Sequence, residues 1–114
     1  MEALPLAAAM LGGVDVSAAV ILSFSGDFER KVIEYTCDDD TALQVTYVNA
    51  APNFLAILPI EGQKLVFVTQ LSGSGARYVV GEYVWWTKGP EATLTSVAAP
   101  DAKPLTCTEH SETP

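Results

Sequence analysis

The sequence predicts an all-β domain built as a small antiparallel barrel or sandwich. Three observations lead to this prediction: apolar and polar residues alternate with a period of two in several short segments, Gly and Pro fall between those segments, and 114 residues are enough for one hydrophobic core. Hydrophobic residues make up 49% of the chain and charged residues 18%, which is the balance of a folded domain. One domain of short strands joined by tight turns is therefore expected.

The chain opens with two apolar stretches that do not alternate. Residues 3–11 have helical propensity and end at a pair of glycines, so a short helix is expected there. The run over residues 16–24 contains β-branched residues and suits a strand or a segment that covers a neighbour. We interpret residues 1–28 as an N-terminal extension, in which residues 14–24 either pair with a second copy in a homodimer or pack back on their own domain.

Regular alternation begins at Lys31. In the segment TALQVTYV, Leu43, Val45 and Tyr47 fall on one face and polar side chains fall on the other, as in a half-buried strand. The three aspartates at residues 38–40 precede this segment. Calcium loops interleave their oxygen ligands with other residues, so the run is expected to be a solvated hairpin turn.

The later segments follow the same pattern. KLVFVTQ comes after the turn EGQ, and EYVWWTK and EATLTSV are separated by residues 88–90. Beyond Pro100 the chain is rich in Pro, Thr and Glu and is expected to be loosely held except at Cys107. The domain is assigned to residues 29–108, and residues 109–114 are assigned to a flexible tail.

The chain has two cysteines, Cys37 and Cys107, one near each end of the strand-forming region. A disulfide between them would close a loop of about 70 residues, which the chain-entropy model values at about 4 kcal/mol. Two buried free thiols are the alternative on this spacing alone. Two distant cysteines and His110 are too few ligands for a structural metal site, so no metal is expected.

Composition argues against several function classes. Six Lys and Arg against fourteen Asp and Glu give a net charge of −8, which disfavours nucleic acid and favours a basic protein partner. The only histidine is His110, so no Ser-His-Asp or Cys-His arrangement is expected. GSGARY lacks the Lys-Ser or Lys-Thr of a phosphate-binding loop. We therefore expect neither enzymatic activity nor a cofactor.

No membrane anchor is visible in the sequence. No apolar run approaches the roughly 20 residues of a membrane span. The opening stretch has no Lys or Arg before Arg30, so it lacks the basic region of a signal peptide, and it has no cysteine that could carry a lipid. We expect that a natural leader has been removed.

The densest stretch is SGSGARYVVGEYVWWTKG, which begins at Ser72. If the chain reverses around residues 79–81, residues whose numbers add to about 160 face each other, which places Lys88 opposite Ser72 and about 7 Å along the strand from Ser74. Such a hairpin would bring a hydroxyl and an ammonium to one rim. The alternative is a flexible turn in which Lys88 is an ordinary surface charge and Arg77 pairs with a carboxylate.

Residues on both sides of that rim have expected roles. Gly73 and Gly75 allow backbone shapes that are closed to other residues and let a partner approach closely. The rings of Tyr83, Trp85 and Trp86 are expected to bury against the core and to stiffen the arm behind the loop.

Five motifs in this region carry a family resemblance: Tyr35–Cys37, Ser74–Tyr78, Gly81, Tyr83–Gly89 and Glu91–Thr93. In order and spacing they closely resemble the inhibitors specific for c-type lysozyme, a family with membrane-bound and periplasmic forms. The resemblance runs from about residue 31 to residue 107 and leaves the first thirty residues outside.

The resemblance implies an eight-stranded antiparallel barrel with a disulfide between Cys37 and Cys107. It implies a protein that binds c-type lysozyme by inserting a loop into the active-site cleft, with Ser74 on that loop and Lys88 on a neighbouring segment. The remaining residues expected to shape the binding loop are Ser72, Gly73, Gly75, Arg77 and Tyr78. The lack of an anchoring cysteine favours the periplasmic form, which would protect Gram-negative peptidoglycan from host enzyme.

Two rival functions use the same kind of barrel. One is a small-ligand carrier, since eight-stranded barrels can hold one ligand, although the bulky aromatic residues favour a filled interior. The other is an envelope-interaction module that does not inhibit lysozyme.

Overall fold

The structure, a computed structural model, describes residues 21–110. The predicted helix at residues 3–11 and most of the apolar run at residues 16–24 lie outside the described residues, as does most of the segment assigned to a homodimer contact. The part of that run that is described, residues 21–24, is not a strand. The described chain forms eight strands: β1 (Glu29–Cys37), β2 (Ala42–Ala50), β3 (Asn53–Ile60), β4 (Gln63–Gln70), β5 (Ala76–Val80), β6 (Tyr83–Lys88), β7 (Glu91–Ser96) and β8 (Leu105–Glu109).

The eight strands close into one antiparallel barrel. Each strand pairs with the next in sequence, and β1 pairs with β8 to complete the ring. Closure leaves no strand edge without a partner. Cys37 lies directly opposite Cys107 in the β1–β8 pairing, and the two are joined by a disulfide. The predicted all-β barrel and its disulfide are therefore confirmed.

One feature of the C-terminal region differs from the prediction. The chain beyond Pro100 is predicted to be loosely held except at Cys107, but the whole of Leu105–Glu109 forms β8 and pairs with both β1 and β7. Threonines alternate with other residues around Cys107 in this segment, and pairing with β1 and β7 makes it a strand that closes the barrel. A short apolar pattern of this kind is too weak to identify a strand without its neighbours.

The barrel interior is filled by the inward faces of the strands. Val45 and Tyr47 are buried and Leu43 is half-buried, as the alternation of TALQVTYV predicts. The largest fully buried side chains come from five different strands: Trp85, Phe67, Leu58, Val45 and Cys107. Burying a large apolar side chain contributes about 1.5–3 kcal/mol each, so these residues hold the sheet in its closed form.

Three aromatic residues in the core share two hydrogen bonds. The indole Nε1–H of Trp85 donates to the hydroxyl of Tyr47 at 2.9 Å, and that hydroxyl lies 2.7 Å from the hydroxyl of Tyr35. The rings of Tyr35 and Trp85 meet edge to face, with centroids 5.2 Å apart. These contacts satisfy polar groups that would otherwise be costly to bury.

The barrel has two ends with different connections. One end, called the loop end here, carries the connections at residues 51–52, 71–75 and 89–90. The opposite end, called the acidic end, carries the connections at residues 38–41, 61–62, 81–82 and 97–104. The predicted turns at the three aspartates and at EGQ both lie at the acidic end and are confirmed. None of residues 21–110 belongs to a helix long and apolar enough to cross a membrane.

Candidate functional site

The β4–β5 connection at the loop end is held by its own serines. The Ser72 hydroxyl donates to the carbonyl of Ser74 at 2.6 Å, and the Ser74 N–H donates to the Ser72 hydroxyl at 3.3 Å. Ser72 is half-buried, whereas Gly73 and Ser74 are exposed. Within residues 21–110 the Ser74 hydroxyl makes no hydrogen bond of its own, so it is available to a partner.

Gly75 ends this loop at a position that admits no side chain. Its φ is +66°, in the left-handed region that glycine tolerates best. A Cβ at this position would collide with the carbonyl oxygen of Thr87 and would lie 2.8 Å from Cγ of Lys88. The glycine therefore lets the loop rest directly on the end of β6.

The register of the β5–β6 hairpin differs from the predicted one. Val80 pairs with Tyr83 and Ala76 pairs with Thr87, so the chain turns at Gly81 and Glu82 rather than around residues 79–81. The predicted placement of Lys88 opposite Ser72 is wrong. Lys88 lies instead beside Gly75, because the tight two-residue turn sets the pairing and a sequence period of two does not reveal where a turn falls.

Trp86 joins the loop to the neighbouring cations. Its Nε1–H donates to the Ser74 carbonyl at 2.9 Å. The ammonium of Lys88 lies 4.3 Å from the centroid of its ring, and the guanidinium carbon of Arg77 lies 5.6 Å from it, both within cation–π range. One indole therefore contacts the backbone of Ser74 and the head groups of two cations.

The prediction that Trp86 buries against the core is wrong. Trp85 points into the barrel and is fully buried, whereas Trp86 is half-buried on the outer surface. Successive residues of a strand face opposite sides of the sheet, so the two tryptophans cannot both point inward. Because side chains alternate between the two faces along the segment EYVWWTK, the sequence signal for Trp86 is that one of two consecutive tryptophans must lie on the outer surface.

Tyr78 supports the site from inside the barrel. It lies in β5 and is buried, and its ring centroid lies 5.7 Å from that of Tyr47. Arg77 is on the outer face and half-buried, whereas Lys88 is exposed. Among residues 21–110 neither cation forms an ion pair, so the alternative in which Arg77 pairs with a carboxylate does not hold there. The Lys88 ammonium retains three N–H donors for a partner.

The described residues contain no group of three or more His, Cys, Asp or Glu side chains that could hold a metal ion. His110 makes a hydrogen bond to the Thr36 hydroxyl. The chemistry of the loop end is therefore that of recognition: an exposed hydroxyl that can donate and accept, and two cations kept over an indole ring.

A protein-family model described as membrane-bound lysozyme inhibitor of c-type lysozyme matches residues 35–103. A relative from Pseudomonas aeruginosa, named membrane-bound lysozyme inhibitor of C-type lysozyme, is 36% identical over 101 residues, which is 82% of this chain and 80% of that protein. A relative of the same name from Cupriavidus necator is 44% identical over 64 residues, or 56% of this chain and 51% of its own length.

A solved structure resembles the barrel. It is a crystal structure of Pseudomonas aeruginosa MliC in complex with hen egg white lysozyme, which aligns with a TM-score of 0.70 at 33% identity and covers 84% of this chain and 100% of that one. Because the family model spans more than half of the sequence and the Pseudomonas relative is matched over most of its length, this chain belongs to the family of membrane-bound lysozyme inhibitors of c-type lysozyme.

Proposed function

We propose that this protein inhibits c-type lysozyme by inserting the β4–β5 loop into the active-site cleft, with Ser74 and Lys88 making the central contacts. The observation that carries the proposal is the arrangement around Trp86, which contacts the Ser74 carbonyl and the Lys88 ammonium at one exposed end of the barrel. The relative of known structure is bound to hen egg white lysozyme, which supports the choice of partner. The family is one of inhibitors, not of enzymes.

The chemistry of the target suits these two residues. Lysozyme uses a protonated glutamic acid beside an ionised aspartate. A serine hydroxyl can donate to one carboxyl group and accept from the other, and an ammonium pairs with the ionised one. Ser74 and Lys88 together therefore complement both catalytic groups. Gly73, Gly75 and Arg77 shape the loop, and Tyr78 supports it from within.

The location that fits this activity is the cell envelope, as the family name implies. We propose the periplasm, where an inhibitor would protect peptidoglycan from lysozyme of a host. The excess of acidic residues in the chain fits a basic partner, because opposite charges raise the rate of association at low salt.

A turbidity assay tests the proposed function. Lysis of Gram-negative cell walls by a c-type lysozyme should slow as the protein is added, and saturating amounts should stop it. The protein should have no lytic activity of its own. A lysozyme that is still fully active in a large excess of folded protein would overturn the proposal.

The assignment of the two central residues is tested by substitution. Lys88→Ala should weaken inhibition by about 2–5 kcal/mol in binding free energy, the usual cost of truncating one partner of a buried charge pair, and adding Ser74→Ala should remove most of what remains. The matched control is Lys103→Ala at the acidic end, where an exposed lysine lies 3.9 Å from Asp38. Surface pairs contribute little, so this variant should inhibit normally. Inhibition by the double variant at the potency of the unmodified protein would refute the assignment.

A further inference from the structure

The barrel interior opens at the loop end into a cavity of about 220 Å³ that the proposed inhibition does not use. Small barrels of eight strands are just wide enough to be filled by side chains or to hold one small ligand. Here the filling is incomplete, and the residues around the opening are largely polar. The groups that matter are Lys31, Tyr35, Tyr47, Asn49, Tyr78 and Glu109.

The strand register brings opposite charges to the inner face of this opening. Lys31 lies opposite Tyr47, and Glu109 lies opposite Tyr35. Lys31 is four residues before Tyr35 on the same face of β1, a distance of about 13 Å along the strand. The lysine therefore lies at the rim, and the carboxylate lies beside the deeper tyrosine.

These two charges have no partner within residues 21–110, either in each other or in another side chain. Lys31 is exposed and Glu109 is half-buried, so both charges are open to water or to a ligand that enters the cavity. The two residues lie on neighbouring strands but are offset along them, which leaves a gap between a cation and an anion. A molecule that satisfies both must carry both charges.

The floor of the cavity offers a hydrogen-bond donor between the charges. Three protons, from Trp85 Nε1–H and the hydroxyls of Tyr47 and Tyr35, are shared between two hydrogen bonds. Whichever tyrosine donates to the other, one hydroxyl proton has no acceptor among the described residues. The Tyr78 hydroxyl likewise makes no hydrogen bond within residues 21–110. Its residue is buried, but no fully buried side-chain oxygen there lacks a partner, so this hydroxyl faces the open cavity. Burial raises the pKa of all three tyrosines, which keeps their hydroxyls protonated as donors at neutral pH.

We infer that the mouth of the barrel binds a small zwitterion of about the size of a dipeptide. Its ammonium would pair with Glu109 and face the tyrosine rings. Its central carbonyl would accept the free tyrosine hydroxyl proton, and its carboxylate would pair with Lys31 near the amide of Asn49. A simple anion would pair with Lys31 but leave Glu109 unpaired, and a simple cation would pair with Glu109 but leave Lys31 unpaired.

NMR titration of the complete chain with alanyl-alanine tests this inference. We expect saturable shifts of the backbone amides of Tyr35, Tyr78 and Glu109. N-acetylation or C-amidation of the dipeptide should each weaken binding by about tenfold, because each cap removes one charge-assisted contact. No saturable shift at millimolar concentrations would overturn the inference, and so would equal binding of the capped and free dipeptides.

Two variants assign the charges. Lys31→Met should weaken binding of the free dipeptide by about tenfold but should not change binding of the C-amidated form. Glu109→Gln should also weaken binding of the free dipeptide by about tenfold, but should not change binding of the N-acetylated form. Lys64→Met, at the acidic end, is the matched control and should bind like the unmodified chain. Unchanged backbone spectra away from the cavity verify that the variants are folded. Saturable binding of N-acetylglucosamine in place of the dipeptide would identify a saccharide site and refute the zwitterion.

Discussion

The two ends of the barrel are built from different residues and suit different tasks. Near the loop end the described chain has four cations and four acidic residues, so their formal charges cancel: Arg30, Lys31, Arg77 and Lys88, with Asp27, Glu29, Glu91 and Glu109. Near the acidic end it has six acidic residues against two lysines: Asp38, Asp39, Asp40, Glu61, Glu82 and Asp101, with Lys64 and Lys103.

This difference separates long-range attraction from short-range contact. The acidic excess draws a basic protein from a distance, and the direction of that attraction matters little when partners are far apart. In the proposed mode of inhibition, the loop end contacts the carboxyl groups of the cleft, where further carboxylates would repel. An inhibitor that acts in the proposed way therefore benefits from keeping most acidic residues away from the loop that enters the cleft.

Among tests of the difference between the two ends, we expect the largest effect from alanine substitution at two glycines with similar φ angles. Gly75 at the loop end has a φ of +66°, and Gly81 at the acidic end has a φ of +53°. A Cβ at Gly75 collides with β6, whereas nothing lies within 4 Å of one at Gly81. Gly75→Ala should cost about 2–5 kcal/mol of folding stability, from backbone strain and overpacking together, and should impair inhibition.

Gly81→Ala is the control for that substitution. It should cost only the strain of about 1–2 kcal/mol and should leave inhibition intact. Denaturant unfolding and the turbidity assay measure both effects. Equal losses of stability in the two variants would show that the packing of Gly75 against β6 has no special role.

Extremes of pH should destabilise the two ends separately. Burial raises the pKa of Tyr35, Tyr47 and Tyr78 beneath the loop end, so the stability they contribute is present below about pH 10, their ordinary value, and is lost as pH rises above it. At the acidic end, hydrogen bonds from Thr41 lower the pKa of Asp39, so that contribution is present above about pH 4 and is lost as pH falls.

Two variants measure these losses by urea unfolding across pH. Tyr78→Phe should flatten the alkaline fall in stability without changing the acidic one, and Asp39→Asn should do the reverse. The Tyr78 hydroxyl makes no hydrogen bond within the described residues, so its removal tests the titration rather than a lost contact. An alkaline profile that Tyr78→Phe leaves unchanged would exclude this tyrosine from the pH dependence.

A smaller effect is expected at Trp86. Trp86→Phe keeps an aromatic face for Lys88 and Arg77 but removes the hydrogen bond to the Ser74 carbonyl. We expect binding to weaken by about 0.5–1.5 kcal/mol, the usual contribution of one hydrogen bond, with little change in folding stability. Trp86→Ala should weaken binding further, since both cations lose the ring. If Phe and Ala are equally harmful, the cation–π contacts contribute nothing.

The smallest effect is expected from the acidic end. Replacing residues 38–40 by asparagine should slow association with lysozyme several-fold at low salt and leave the dissociation rate unchanged. The difference should vanish at high salt, because screening removes it. Stopped-flow association rates measure it. A change in dissociation rate would mean that this turn contacts the enzyme and that the two ends are not functionally separate.

Much of the fold and the general position of the site could be predicted from sequence. The alternation of Leu43, Val45 and Tyr47 identified an inward face, and the family motifs placed Ser74 and Lys88 near each other. The register between β5 and β6 could not be predicted, because an alternating pattern is compatible with several turn positions, and a shift of one residue reverses every side chain. The alternation pattern did not identify β8 for a related reason: its short sequence is a strand only when β1 and β7 lie beside it.

The sequence by itself determined the all-β class, the charge of the chain and the residue types of the proposed binding loop, since these depend on local patterns and composition. Only the tertiary structure decided that Trp86 connects Ser74 to Lys88, that acidic residues collect at the end opposite the loop, and that Lys31 and Glu109 face one cavity. Those juxtapositions join residues distant along the chain, and they exist only because eight strands close into a ring with a definite register.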